Sequence, residues 1–217
     1  MNDRIEKVIT ALKANNIDAI YAKDKEEIKK AVKDMLFKDC VITAGGSMSV
    51  KESGVWDIIS SGEYKFFDRS AAGITEEEKQ RAFREAIGCD FFFCSANAVT
   101  EKGELVNVDG FSNRVASIVF GPKKVIMIVG KNKIVKDANE GLLRVKKIAA
   151  PKNTVRLGLD TPCAKLGHCV ALLKNDNPDF TDGCKSDNRI CISYVITAFQ
   201  RIKNRITVII CEDELGY

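Results

Sequence analysis

Asp39-Cys-Val-Ile-Thr-Ala-Gly-Gly-Ser-Met-Ser49 is the stretch on which the fold turns. Asp39 to Ala44 is short, β-branched and largely apolar, which reads as a buried strand, and two glycines and a serine then turn the chain toward a helix. Lys25 to Leu36, just upstream, places Ile28, Val32, Met35 and Leu36 on one face at helical spacing. Before it come a short strand, Ala19 to Ala22, and a helix over 3–14 with Ile5, Val8, Ile9 and Leu12 inward. Downstream, helices are predicted over Glu52–Ile59 and Thr75–Ile87, the second opened by a Thr75/Glu78 capping box, with a strand at Tyr64–Phe67 between them. Asp90–Cys94, Lys124–Val129 and Arg205–Cys211 are continuous apolar runs, the signature of strands buried on both faces. This alternation predicts an α/β protein with an open, mainly parallel sheet and helices on both faces. We read residues 1–217 as one domain, with a cysteine-rich segment at about 160–192. A break near Pro151 is expected to start a lid-like segment carrying those cysteines.

Composition bounds the function. The 217 residues are 45% hydrophobic and 29% charged, enough for a packed core and too apolar for extensive disorder. Lys+Arg exceeds Asp+Glu by four, 34 against 30, and the excess is spread along the chain. The densest basic patch, Arg144-Val-Lys-Lys147, falls in an amphipathic helix and reads as a solvated face, so nucleic acid is not an expected partner. The N-terminus lacks the apolar stretch of a signal peptide, and the longest purely apolar run, Val125–Val129, is far too short to span a bilayer. A cytoplasmic location is expected.

Three groups of residues carry candidate chemistry. Gly45, Gly46, Ser47 and Ser49 sit where α/β folds bind ligands, at the carboxyl end of a strand, and suit an anion cradle. There is no P-loop lysine and no third dinucleotide glycine, so neither ATP nor NAD is indicated. The second group lies in Asn97–Arg114, where a Lys102-Gly103 hairpin leads through Leu105–Val108 to Asp109-Gly110 and a helix over Asn113–Phe120 capped by Ser112. Asn97, Asn113 and Arg114 are candidates for substrate binding, Arg114 as a bidentate carboxylate clamp. Glu101 or Asp109 is the candidate acid/base, because the sole histidine leaves no Ser–His–Asp set. An Arg114–Asp109 ion pair pinning hairpin to helix is the structural alternative.

The third group is drawn from eight cysteines. Cys40, Cys89, Cys94 and Cys211 lie in apolar surroundings and read as small buried hydrophobes. Cys163, Cys169, Cys184 and Cys191, spaced C-x5-C-x14-C-x6-C, form a candidate thiolate site for zinc or an iron–sulfur cluster. They lack a C-x-x-C pair, and four unrelated thiols in a loop-rich segment is the plainer alternative. His168 stands outside this set.

Gly45-Gly46-Ser47-Met48-Ser49-Val50, Asn97 to Gly110, Asn113-Arg-Val-Ala116, Gly121-Pro-Lys-Lys-Val125, Ala149-Ala-Pro151, Thr161-Pro-Cys-Ala164 and Glu214-Leu-Gly-Tyr217 together resemble the LUD domain, the lactate-utilization protein family. The resemblance implies a fold similar to the sugar-phosphate isomerase and coenzyme A transferase superfamily, with a ligand cleft at the strand ends. It also implies a part in oxidising L-lactate or a related acid beside iron–sulfur partner proteins. The chain lacks the ferredoxin-like cysteine runs of the family's longer members. Two functions are therefore expected to compete: an enzyme or enzyme subunit acting on a small organic acid or phosphorylated metabolite, and a non-catalytic, metal-stabilised subunit or sensor that docks a redox partner.

Overall fold

The computed structural model describes residues 1–217. The elements in chain order are α1 (Asp3–Ala14), β1 (Asp18–Ala22), α2 (Lys25–Met35), β2 (Val41–Ala44), α3 (Met48–Glu52), α4 (Val55–Ile59), β3 (Lys65–Phe67), α5 (Glu76–Gly88) and β4 (Phe91–Cys94). They continue with β5 (Ala98–Thr100), β6 (Leu105–Asp109), α6 (Asn113–Val119), β7 (Lys124–Gly130), β8 (Ile134–Val135), α7 (Ala138–Arg144), α8 (Ala150–Arg156), α9 (Pro162–Leu166), β9 (Ser193–Thr197) and β10 (Ile206–Cys211).

Six strands form one parallel sheet in the order β1-β10-β7-β4-β2-β3, and β8-β5-β6-β9 form a smaller mixed sheet. The apolar runs are buried on both faces because their side chains alternate between two cores. Phe92, Cys94, Val125, Met127, Val208 and Ile210 pack with Ile5, Val8 and Leu12 of α1. Phe91, Phe93, Ile126, Ile128 and Ile209 pack with Ile28 and Val32 of α2 and Val55 and Ile59 of α4. Each fully buried side chain of this kind contributes on the order of 2 kcal/mol. The smaller sheet presents Val99, Leu105 and Ile134 to the first core, and Val106 and Val108 to Leu142 and Val145. No helix is long and apolar enough to cross a membrane.

The Thr75/Glu78 capping box forms as expected. The Lys102-Gly103 turn closes the β5–β6 hairpin against α1, with Gly103 at φ +78° and a Cβ there falling 2.5 Å from the Ala11 carbonyl carbon. Both backbone strain and backbone overlap oppose any side chain, so Gly103→Ala is expected to cost at least about 1–2 kcal/mol, read as a lower urea midpoint.

Four expectations are corrected. The helix expected over Glu52–Ile59 is α3 and α4, parted by Gly54 at φ +76°. Ser112 does not cap α6; it sits at φ +64°, and its hydroxyl pairs with Ser193 at 2.5 Å. The cap is Asp109, whose carboxylate accepts from the Phe111, Ser112 and Val115 N–H groups. Pro151 does not break the chain either. It lies at the start of α8, which continues from α7 through a π-helical turn over Val145–Ala149, and the wider turn accommodates a ring that lacks an N–H. Finally, Arg144 and Lys146 are not solvated, at 7% and 3% exposure. Arg144 donates to the Asn97 and Asn132 carbonyls, and Lys146 to the Asp182 carbonyl.

Candidate functional site

Parallel topology brings the carboxyl ends of the strands to one edge, and five of them contribute to a single cavity of about 380 Å³. Gly46, Ser47 and Met48 come from the turn after β2, Arg69 from the segment after β3, and Ser95, Ala96 and Asn97 from the end of β4. Lys133 follows β7, and Tyr217 follows β10. Asp109, Asn113 and Arg114 enter from the β6–α6 junction, Asn153 and Arg156 from α8, and Ile190 and Cys191 from the cysteine segment.

Gly46, Ser47, Asn97, Asp109, Asn113 and Arg114 are thus brought together as the sequence suggested. Gly45 and Ser49 stand behind the wall. A Cβ on Gly45 would lie 3.3 Å from the Arg114 side chain, and buried Ser49 donates to the Leu215 carbonyl. Ser47 accepts from the Val50 N–H as the cap of α3. Glu101 is outside the cavity altogether. Its carboxylate is held by Arg4 and Lys7 at 2.8 Å each on the surface of α1, and those cations keep it below the usual carboxylate range.

Arg114 and Asp109 are heavily engaged. The Arg114 guanidinium donates to the Ser95 and Val108 carbonyls and to the Asn107 and Asn97 amide oxygens at 2.7–3.1 Å. Its Nε lies 3.5 Å from Asp109 Oδ2. With three backbone N–H donors on the same carboxylate, this is the geometry of the pinning alternative, joining β4, β6 and α6. The Asn97 Oδ1 also accepts from the Val108 N–H, so its acceptor is used within the hairpin.

Two cations that motif reading missed are available instead. Arg69 sits over the Phe83 ring at 5.3 Å, and its guanidinium makes no hydrogen bond or ion pair within the protein. It reaches to 3.2 Å of where a Gly46 Cβ would be, so a side chain at that position would push the guanidinium aside. Burial pushes the Arg69 pKa down, the Asp109 carboxylate opposes that, and Arg114 and Arg156 add to it. Lys133 is 3% exposed and donates to the Ser49 and Ser95 hydroxyls at 2.8 and 3.1 Å, with no carboxylate in contact. Burial, then the Arg144 and Arg114 charges, bring its pKa down to about 7. The signal for Lys133 was positional: a lysine three residues past a buried strand, Gly130-Lys-Asn-Lys133, at the edge where such folds bind ligands.

The four loop cysteines are also brought together. Cys163, Cys169, Cys184 and Cys191 all line a second, much smaller cavity of about 20 Å³ behind Ile190 and Ala150, which they share with Lys146, Thr154, Thr161 and Arg189. All four are free thiols, and no three metal-ligating side chains stand at ready-made coordination distances. His168 does not line this cavity. Burial pushes the Cys191 thiol up to about 11, and the Cys163 and Cys169 sulfurs push in the same direction. Cys40, Cys89, Cys94 and Cys211 are buried as small hydrophobes, the Cys94 thiol pushed up to about 12 by complete burial.

Fold and site together define an open, parallel α/β protein whose strand ends converge on a cavity lined by four cations and one carboxylate. The model of the LUD domain matches residues 5–211, and the chain belongs to that family. The fold is similar to the crystal structure of a DUF162 family protein from Deinococcus radiodurans, at 11% identity over 96% of both chains with a TM-score of 0.51. It is more distantly similar to ribose 5-phosphate isomerase A from Neisseria gonorrhoeae, at 14% identity over 64% of this chain and 56% of that one with a TM-score of 0.33. No curated protein matches the sequence significantly.

Proposed function

We propose that the cavity binds a small anionic metabolite, an organic acid or a phosphorylated compound, and that the protein serves lactate or related organic-acid oxidation beside iron–sulfur partner proteins. The observation that carries the binding reading is charge. Arg69, Arg114, Lys133 and Arg156 face the cavity against Asp109 alone, and the Asp109 oxygens are already engaged. The Arg69 guanidinium is only partly exposed and has no hydrogen-bond partner in the protein, and a bound carboxylate or phosphate supplies one with charge assistance. A cavity of about 380 Å³ is at the small end of ligand sites. Membership of the LUD family and the sequence resemblance support the lactate-related role.

In this reading Arg69 is the primary anion clamp and Arg156 a second contact at the rim. Arg114 holds the wall in place. Lys133, with a pKa of about 7, is the group suited to exchange a proton with the bound molecule near neutral pH. Asp109 holds the α6 start and its oxygens are committed, so the proton-transfer role passes from the two carboxylates to the lysine.

Titration calorimetry of the untagged chain with L-lactate, pyruvate and ribose 5-phosphate tests this. Saturable binding of at least one is expected. Arg69→Gln should weaken it by roughly tenfold or more, about 1.4 kcal/mol, with the melting temperature little changed because the guanidinium makes no hydrogen bond or ion pair and only stacks on the Phe83 ring. Binding unaffected by that change removes the clamp assignment. The second reading, a metal-stabilised subunit that docks a redox partner, is favoured by the convergence of the four thiols and gains ground if none of the three acids binds.

A further inference from the structure

We propose that Cys163, Cys169, Cys184 and Cys191 bind a single thiophilic divalent cation, zinc, as a tetrathiolate centre that fastens the cysteine segment to the body of the fold. This centre occupies a cavity separate from the anion site. The first observation is convergence. Thiols spread over 29 residues, one in α9 and three in the loops after it, line the same small cavity of about 20 Å³, and with no three of them at coordinating distance the ion would have to draw them inward. That is room for one ion or one water, too little for a multi-iron cluster.

The second observation is independent and concerns charge. Lys146, 3% exposed, and Arg189 line the same cavity, and neither forms an ion pair with a carboxylate. Lys146 donates to the Asp182 carbonyl, and Arg189 donates to the carbonyls of Thr181, Cys184 and Cys191 at 2.8–2.9 Å. Lys146, withdrawn from water against neutral thiols, lacks a counter-charge, and Arg189, partly exposed, has none within the protein. Zinc bound by four thiolates carries a net charge of two minus, which Lys146 and Arg189 together balance. Arg189 ties the backbone at Thr181, Cys184 and Cys191 together, so the cation that balances the centre shapes the loop that supplies it.

One buried hydroxyl supports the shell. Thr161 Oγ1 is 3.4 Å from Cys163 Sγ while it accepts from the Ala164 N–H, which leaves its proton for the sulfur. Thr154 Oγ1, 3.6 Å from the same sulfur, gives its proton to the Pro151 carbonyl and only packs there. A donor such as Thr161 orients and stabilises a bound thiolate. On binding, four S–Zn bonds form and the thiol protons leave to solvent, so affinity rises with pH.

The segment closed in this way is poor in apolar side chains between Lys174 and Lys185 and cannot offset its own ordering by burial. Ile190 and Cys191 line both cavities, and the chain then joins β6 through β9, where Asp109 pairs with Ser193. The centre therefore fixes one wall of the anion cavity.

The test is elemental analysis of the untagged full-length chain purified under reducing conditions. One equivalent of zinc per chain is expected, released when the thiols are blocked with an organomercurial. Replacement by cobalt(II) should give the intense thiolate-to-cobalt charge-transfer absorption and the visible bands of a tetrahedral site. Cys184→Ser should lower zinc retention against a chelator by at least tenfold. Because that variant can fail to fold, the wild-type metal content and cobalt spectrum decide by themselves. A metal-free reduced protein, disulfides among the four cysteines, or the broad visible absorption of an iron–sulfur cluster would each overturn the proposal. Acid binding by the wild-type protein is read separately by calorimetry, so a failure of the metal proposal and a failure of the anion-site reading are distinguishable.

Discussion

Arg114→Lys is expected to lower stability by about 3 kcal/mol, read as a shift of the urea midpoint, before any effect on ligand binding is considered. The guanidinium makes four hydrogen bonds to acceptors on two segments, Ser95–Asn97 and Asn107–Val108, and lies beside the Asp109 carboxylate. A lysine ammonium is a compact point charge with three donors and cannot reach both faces of that fork. Some of the Ser95, Asn97, Asn107 and Val108 oxygens would be left buried without a donor, and Asp109 would lose its neighbouring charge. The Asn107 Nδ2 group already lacks a partner, so this corner has little capacity to rearrange. Wild-type stability together with lost acid binding in Arg114→Lys would restore the direct clamp role and refute the assignment of Arg114 to the cavity wall.

The second large effect has the opposite sign. Lys133→Met is expected to stabilise the ligand-free protein at pH 6 and to abolish the proton uptake that accompanies anion binding. Lys133 falls from its ordinary 10.5 to about 7 in the fold, so the unfolded chain binds more protons between those values. Stability therefore rises with pH from about 7 to about 10.5, and the cost of the buried charge is fully present below pH 7. At about 1.4 kcal/mol per unit that cost has an upper bound near 5 kcal/mol. Methionine is of similar shape, and Ser49 and Ser95 keep their bonds to the Leu215 and Ala96 carbonyls. The gain over wild type should fade as pH rises from about 7 to about 10.5. A bound anion raises the Lys133 pKa again, so wild-type binding above pH 7 takes up a proton, visible as a buffer-dependent enthalpy. No stabilisation of Lys133→Met at pH 6 would mean that the lysine already has a counter-charge.

The α/β architecture was legible in the sequence because its signals are local and periodic. Ile5, Val8, Ile9 and Leu12 recur at helical spacing, and Phe91–Cys94 or Val125–Val129 is apolar without interruption, as only a doubly covered strand requires. Gly46, Ser47, Asn97, Asp109, Asn113 and Arg114 could be gathered as a candidate site because they flank strand ends in recognisable turns. Their division of labour could not. Whether Arg114 faces a ligand or four protein oxygens depends on where Ser95 and Asn107 fall in space, and Glu101 was drawn away by Arg4 and Lys7, nearly a hundred positions distant in sequence.

Sequence by itself determined the order of helices and strands, the burial of the central strands, the capping box at Thr75 and the family to which the chain belongs. Each of these follows from neighbouring residues or from motifs a few positions long. Only the tertiary structure decided which charges are isolated. Arg69, Lys133, Arg144 and Lys146 look alike in one dimension, as ordinary basic residues. Folding placed Arg69 without a partner, Lys133 between two hydroxyls, Arg144 against backbone carbonyls and Lys146 beside four thiols. The cost of a buried cation depends on its solvent exposure and on the acceptors that surround it, and both are set by contacts between segments far apart in the chain.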